Sequence, residues 1–351
     1  MQQIAEQLGV SKFAVSQALS GKPGVGEETR NRIIQAAAAQ GYFSQRHTKK
    51  KARSAMSTEI DKAGMPFKDT VIVLMPNVRY QIADSYYWGK IVDGVVAALA
   101  ARNIGTMVLT EHNSDRFLQI IDPSQVLGLV GIGYIAEEVI LAIRKAGLHF
   151  VLVDHEDDLV ESDTVFMNNF DSMRKLTEQL IYRGHQRLLF VGDPAYSRSF
   201  SDRWLGFRTV LEEKGLEVQS PSHRLLEDLS HDEMREELTE MRKTGALPTV
   251  LVCANDHIAL AAMQILSELG VQIPFDVSVT GFDNIDDAEK LEPSLMTIDV
   301  PMEAMGMHAV EILLARLNDP GRPIVKTLLH GALIARMSVS SIDNDKQTET
   351  S

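Results

Sequence analysis

The 351-residue chain has a single cysteine, Cys253, which excludes an internal disulfide and points to a reducing compartment. No run approaches the roughly eighteen apolar residues that a membrane span needs, so no membrane partner is expected. Met1 leads directly into an amphipathic pattern without the basic start and apolar centre of a signal peptide, and the expected location is the cytoplasm. There is no P-loop and no nucleophile elbow. The run Gly128-Leu129-Val130-Gly131-Ile132-Gly133 fails the dinucleotide fingerprint, because no helix opens at its end. Asp154-His155-Glu156-Asp157-Asp158 has metal-ligating side chains, but it follows a strand directly and lacks partners at ligand spacing, so it reads as a solvated loop. These absences leave no catalytic constellation, no metal site and no cofactor, and an enzyme is not expected. Cys253 lies in the apolar run Val250-Leu251-Val252-Cys253-Ala254 and reads as a packing residue of a buried strand.

The charge that is present is divided unevenly. Residues 1–53 contain nine Lys or Arg against three acids, a net of +6, which leaves −19 on the remainder of a chain whose total is −13. A basic head on an acidic body suits a protein whose head meets phosphates. The head has a helical rhythm. Ile4, Ala5 and Leu8 fit one face of a short helix that Gly9 can end. Ser11 is a good N-cap for a second helix, whose Ala14, Val15, Ala18 and Leu19 face the same small core. A third amphipathic helix, roughly Glu27 to Gln40, closes that core with Ile33, Ile34, Ala37 and Ala38. Two short helices joined by a Gly-containing turn form a helix-turn-helix, whose second helix enters the major groove of DNA.

After Tyr42 the sequence turns polar, with a basic cluster at Lys49–Arg53 and Pro66 before the first apolar run. From Thr70 apolar runs without polar alternation (Val71–Met75, Thr106–Leu109, Gln125–Ile132, Phe150–Val153, Arg187–Val191, Val250–Cys253, Val277–Gly281) alternate with helical periods. These helices are expected over Tyr87–Arg102, Glu137–Ala146, Asp171–Arg183, Ser201–Lys214, Asp232–Lys243 and His257–Leu269. Apolar runs of this kind suit parallel sheets buried on both faces, built from βαβ units. Two such series of similar length imply two lobes with a ligand cleft between them.

The run Ile4-Ala5-Glu6 to Leu8-Gly9-Val10-Ser11, then Ala14-Val15-Ser16 and Ala18-Leu19-Ser20-Gly21, followed by Glu27-Glu28-Thr29-Arg30 and Gly41-Tyr42, resembles the DNA-binding headpiece of LacI/GalR-family transcriptional repressors. Similar motifs run through the body from about Thr70 to Val339: Gly184-His185, Asp202-Arg203-Trp204-Leu205-Gly206-Phe207, Ala254-Asn255-Asp256, Asp276-Val277-Ser278-Val279-Thr280-Gly281-Phe282-Asp283-Asn284 and Pro293-Ser294-Leu295. The resemblance implies an α/β chain with an all-α helix-turn-helix headpiece over residues 1–45 and a linker over 46–69. A two-lobed periplasmic-binding-protein-like domain with parallel sheets would then span 70–342, before a disordered polar tail over 343–351. Lobe 1 would hold about 70–166 and 299–325, and lobe 2 about 167–298 and 326–342.

It further implies a ligand-responsive regulator, a repressor of carbohydrate-utilisation genes that binds a near-palindromic operator as a homodimer and a sugar-like effector between its lobes. A purine or phosphorylated corepressor, or a sugar-binding protein without DNA function, are the alternatives. On DNA, Lys12, Phe13, Ala14 and Gln17 would meet bases, with Gln17 able to pair donor and acceptor with adenine. Ser11, Ser16 and Arg30 would hold phosphates. The linker departs from the family's hinge helix, since Lys49–Met56 has no Leu in the expected place. The family's few residues before the first helix are also missing, which leaves open whether Met1 is the true start.

Arg203, Asn255 and Asp283 stand where relatives contact the effector, and their chemistry suits a polyhydroxylated ligand. Taken on their own, the three also read as a surface ion pair within one helix, a helix N-cap and a turn residue. Tyr86, Tyr87 and Trp88 occupy a segment that is aromatic in relatives; Tyr86 and Tyr87 are the effector candidates, and an aromatic face packs well on a sugar. Ser199 and Phe200 could border the cleft, Asn168-Asn169 replaces a common Asp-Asn pair, and His185 reads as structural.

Overall fold

Val71, Ile72, Val73 and Leu74 are all fully buried, because their strand is covered on both faces. In the computed structural model, which describes residues 69–76, 85–111, 113–218 and 231–342 together with Val10, Ser11 and Thr29, this strand is β1 (Thr70–Leu74). It lies in a six-stranded parallel sheet with β2 (Gly105–Leu109), β3 (Gly128–Ile132), β4 (Phe150–Val153), β5 (Asp163–Met167) and β10 (Lys326–Leu329), in the order β10-β5-β4-β3-β1-β2. Helices α1 (Ser85–Ala100), α2 (Ser114–Ile120), α3 (Glu137–Lys145) and α9 (Met302–Asn318) belong to this first lobe. The second lobe is built on β6 (Leu188–Val191), β7 (Val250–Cys253) and β8 (Ser278–Thr280), again parallel, with the antiparallel pair β9 (Thr297–Asp299) and β11 (Ala332–Ile334) bridged alongside. Around them lie α4 (Asn169–Tyr182), α5 (Arg198–Glu213), α6 (His231–Thr244), α7 (Asp256–Glu268) and the short α8 (Asp286–Lys290).

The chain crosses between lobes three times, from β5 to α4, from β9 to α9 and from β10 to β11. The last crossing differs from the expected lobe boundary. Lys326–Leu329 pairs with β5 on the first sheet, so the part of the chain that belongs with the second sheet begins near Ala332 and not at 326. Arg316 fixes that return: its guanidinium takes both oxygens of the buried Asp163 at 2.9 Å and donates to the Pro323 carbonyl at 2.9 Å.

Helix α9 was not expected from the sequence. Its buried residues Met302, Met305, Gly306, Ala309, Val310 and Leu313 form one stripe that packs on the first sheet and on α1, but Ala304, Met307, Leu314 and Ala315 put apolar residues on the other side as well and blur the period. The contact with α1 is backbone to backbone: a Cβ on Gly94 would overlap the Glu303 carbonyl, and one on Gly306 would overlap that of Ile91. The short elements α2, α8, β9, β10 and β11 were not expected either, and elsewhere element ends differ. Helix α5 begins at Arg198 because the Ser197 hydroxyl caps it, accepting from the Phe200 N–H at 3.2 Å. Strand β3 begins at Gly128, since Pro123–Gln125 form a short 3-10 turn capped by Asp122.

The chain divides between Pro66 and Phe67, and the unit Phe67–Ser351 carries both lobes. Cys253 is fully buried in β7, and burial pushes its thiol up, as suits a packing residue. His185 is buried in the turn before β6 and donates from Nε2 to the Ser340 carbonyl at 3.2 Å. Among the described residues no helix is long and apolar enough to cross a membrane.

Candidate ligand-binding site

Parallel sheets present their loops at the carboxyl ends of their strands, and there the chain bends in ways that L-residues avoid. Four non-glycine residues among those described have positive φ, and three of them sit at these ends: Asp154 (54°) after β4, and Asp283 (122°) and Asn284 (58°) after β8. Such strain persists only where surrounding bonds hold it, and it gathers at functional sites.

Arg203, in the second turn of α5, is the hub on the second lobe. It is only 3% exposed, and each nitrogen has a partner: Nε donates to Asn169 Oδ1 at 2.8 Å, Nη1 to the Ala254 carbonyl at 2.7 Å, and Nη2 to Asp283 Oδ1 at 3.3 Å. The guanidinium lies 3.8 Å from the Phe282 ring centroid and 5.5 Å from that of Phe200. Its ion pair is therefore buried and reaches another element, in place of a surface pair within its own helix. Asp283 acts both as a turn residue and as the partner of Arg203. Asp256 holds the turn: its buried carboxylate accepts from Thr297 Oγ1 at 2.7 Å and from the Ile285 N–H at 2.9 Å. Burial pushes the Asp256 carboxyl above its usual range, and those hydrogen bonds oppose the push. Asn255 is half-buried and caps α7, with Oδ1 accepting from the Ile258 N–H at 2.9 Å.

The first lobe supplies Asp154 and Tyr87. Asp154 Oδ1 accepts from Ser199 Oγ at 2.5 Å, a bond that crosses from β4 to α5 and so from lobe to lobe. Its Oδ2 accepts from the Tyr87 hydroxyl at 3.4 Å. Desolvation pushes the Asp154 carboxyl up, opposed first by the Ser199 hydrogen bond and then by the Arg203 charge. Tyr87 is raised well above the ordinary tyrosine value by burial and by the negative charges of Asp154 and Asp283. Its ring meets Trp88 edge to face at 4.9 Å. Beside this bridge, Glu156 pairs with Arg198 at 2.5 Å across the lobes and with Lys326. A groove of about 250 Å³ opens next to Asp283, bordered by Lys90, Asn284, Asp299 and Glu303. Carboxylates and a guanidinium fork are thus brought together with aromatic faces beside them, the set of groups that suits hydroxyl-rich ligands, and here they bond to one another.

The candidates from the sequence separate as follows. Tyr87, Arg203 and Asp283 come together, and Asn255 follows directly on Ala254, whose carbonyl Arg203 holds. Tyr86 lies in the first turn of α1, and its side chain is outside the described residues. Of the DNA-binding candidates, Ser11 is exposed and outside regular structure; Lys12, Phe13, Ala14, Ser16, Gln17 and Arg30 lie outside the described residues, as do residues 46–68 of the linker and the tail from 343.

Two residues of the site were not assigned from the sequence. Asp154 was grouped with a solvated acidic loop, yet it is partly buried and bonded to Ser199 and Tyr87; only Asp158 and Leu159 of that loop are exposed. Asn169 is the fully buried partner of Arg203 Nε, while its neighbour Asn168 caps α4. Among the described residues no group of His, Cys, Asp and Glu is arranged to hold a metal ion.

Residues 1–45 match the bacterial regulatory proteins of the lacI family, and residues 177–339 match a periplasmic binding protein-like domain. The chain is 25% identical over 350 residues to the HTH-type transcriptional regulator MalR of Streptomyces coelicolor, covering 98% of this chain and 97% of that protein. Among solved structures it is similar to a complex of the transcriptional regulator CelR with cellobiose, with a TM-score of 0.68 and 23% identity over 95% of this chain and 98% of the other. A lac repressor dimer bound to operator and the anti-inducer ONPF has a TM-score of 0.65 and 22% identity over 96% and 98%. Likenesses to structures at this identity establish a shared fold.

Proposed function

Because the chain belongs to the lacI family of bacterial regulatory proteins, we propose that it is a repressor of carbohydrate-utilisation genes which binds a near-palindromic operator as a dimer and releases or grips it in response to a sugar-like effector. It acts in the cytoplasm and has no enzymatic step. Lys12, Phe13, Ala14 and Gln17 read bases, and Ser11, Ser16 and Arg30 hold phosphates. The effector sits in the cleft, contacted by Tyr86, Tyr87, Arg203, Asn255 and Asp283, with Asp154 and Asn169 added from the geometry.

The observation that supports this reading best is the buried Arg203–Asp283 pair facing Asp154 from the other lobe. A ligand that bonds to both lobes shifts their closure, and a coupling of about 1–3 kcal/mol carries the change to the headpieces. The sugar complex of CelR and the operator complex of the lac repressor support the two halves of the proposal.

The test is a ligand screen on the full protein by thermal shift, using neutral saccharides, sugar phosphates and purines. A ligand at a hundred times its dissociation constant adds about 2.7 kcal/mol. The expected result is stabilisation by a neutral saccharide that also changes operator affinity, both effects being lost in Arg203→Ala. Stabilisation only by a purine or a sugar phosphate would move the reading to the alternative effectors.

A further inference from the structure

The turn that presents Asp283 is strained at two successive residues, with φ of 122° at Asp283 and 58° at Asn284. Neither is glycine, so bonds from outside the turn have to hold it. Part of the hold is backbone: the Asp283 N–H donates to the Ile298 carbonyl at 2.9 Å, beside the bridge between Asp283 and Asp299. The rest passes through the Asn284 amide. Its Nδ2 donates to Asp299 Oδ1 at 2.8 Å, and its Oδ1 accepts from Arg336 Nη2 at 2.8 Å. A carboxylate only accepts and a guanidinium only donates, so one orientation of the amide satisfies both neighbours and the flipped one satisfies neither. The other arm of the fork, Arg336 Nη1, donates to the Leu295 carbonyl at 3.0 Å.

These bonds join separate stretches of the chain. Arg336 lies just beyond β11, on the last return; Leu295 precedes β9; Asp299 ends β9, where the chain leaves for α9 and the first lobe. Arg336 is half-buried, and neither of its partners carries a charge. An arginine kept to balance charge would meet a carboxylate, whereas this one holds a carbonyl and an amide that its planar fork reaches together. We propose that Arg336 is a positioning residue of the ligand site: without touching the ligand, it sets the direction of the Asp283 carboxylate by fixing the Asn284 amide against Asp299. The proposal rests on the reading of Asp283 as a ligand contact.

Hydrogen exchange of the full protein, read by mass spectrometry on peptides covering 282–286, follows the turn without any ligand. Arg336→Met should speed exchange there by about tenfold or more and leave peptides of β3 within about twofold of the parent. Arg336→Lys, which keeps one donor, should speed it about threefold, and it carries the same test where Arg336→Met does not fold. Asn284→Gly, which suits the positive φ but deletes both amide bonds, should speed exchange as well; adding Arg336→Met to it should then change the turn by less than about threefold, because the arginine acts through that amide. An unchanged turn in the Arg336 variants, or effects of Arg336→Met and Asn284→Gly that add in full, would overturn the proposal. Calorimetric titration with cellobiose, maltose, lactose and melibiose gives the second readout. A sugar that binds the parent should bind Arg336→Met about three- to thirtyfold more weakly, and undiminished affinity would overturn the proposal too. Binding of none of these sugars, or equal binding by Asp283→Asn and the parent, would instead remove the ligand reading, and the exchange at 282–286 tells that failure apart from an arginine that does not hold the turn.

Discussion

Arg203→Ala removes three hydrogen bonds and two aromatic contacts at once, and the cost can be worked from what it leaves behind. Asp283 stays only 6% exposed without its cation, and breaking a buried pair from one side costs about 3–5 kcal/mol. Asn169 Oδ1 and the Ala254 carbonyl lose their donor as well, about 1–3 kcal/mol each if they stay dry. Water entering the vacated cleft offsets part of this, so the net loss is about 3–5 kcal/mol, which lowers the melting temperature by roughly 6–15 °C. The double variant Arg203→Ala/Asp283→Asn removes both charges and gives a sharper forecast. Its loss should fall short of the sum of the two single losses by about 0.5–3 kcal/mol. The assay is thermal and urea unfolding of the four proteins without ligand. An Arg203→Ala protein melting within about 2 °C of the parent, or strictly additive losses, would refute the reasoning.

Three further outcomes follow from the same contacts. Gly306→Ala adds helix propensity of about 1 kcal/mol, yet its Cβ overlaps the Ile91 carbonyl, which cannot swing aside; the net effect is a loss of about 1–3 kcal/mol, and a melting temperature at or above the parent's would contradict the close helix packing. The Asp154 carboxyl is raised in the folded state, so its contribution favours folding most at low pH and is lost as pH climbs from about 4 through the folded value; Asp154→Asn should flatten that fall in a melting-temperature profile against pH, and an unchanged slope would assign the pH dependence elsewhere. On DNA, Gln17→Ala and Lys12→Ala should each relax one base position by about 1–3 kcal/mol, while Arg30→Ala should weaken all sequences alike; binding measured against a set of single-base operator variants checks this, and a loss equal across all sequences for Lys12→Ala would contradict its base contact.

Most strands were legible in the sequence because a parallel strand covered on both faces has to be apolar throughout, and Phe150–Val153 and Val250–Cys253 agree with the expected bounds to the residue; β10 and β11 are short and partly exposed and gave no such run. Helix α9 was not, because Ala304, Met307, Leu314 and Ala315 put apolar residues on its outer side and blur the period of its buried stripe. Arg203 and Asp283 were found through a family resemblance and not through local pattern, and the reason is distance along the chain. Arg203 meets Asn169 across 34 positions and Asp283 across 80, and Asp154 meets Ser199 across 45. Nothing local marks such pairs. Asp154 looks solvated in the sequence because it opens an acid-rich run; its turn at positive φ and its bonds to Ser199 and Tyr87, which lie far off in the chain, set it apart from Asp157 and Asp158. Asn255 shows the converse. It is the helix cap that its position suggests, one residue after the Ala254 carbonyl that Arg203 holds.

The most direct test of the account is selection of bound sequences from a random DNA pool, comparing the full protein with a version lacking residues 1–53, which carry the net charge of +6. The account predicts a near-palindrome enriched by the full protein alone, with binding that weakens steeply as salt rises because Lys and Arg displace counterions from the phosphates. No enrichment by the full protein at low salt, or equal enrichment by the shortened one, would contradict it.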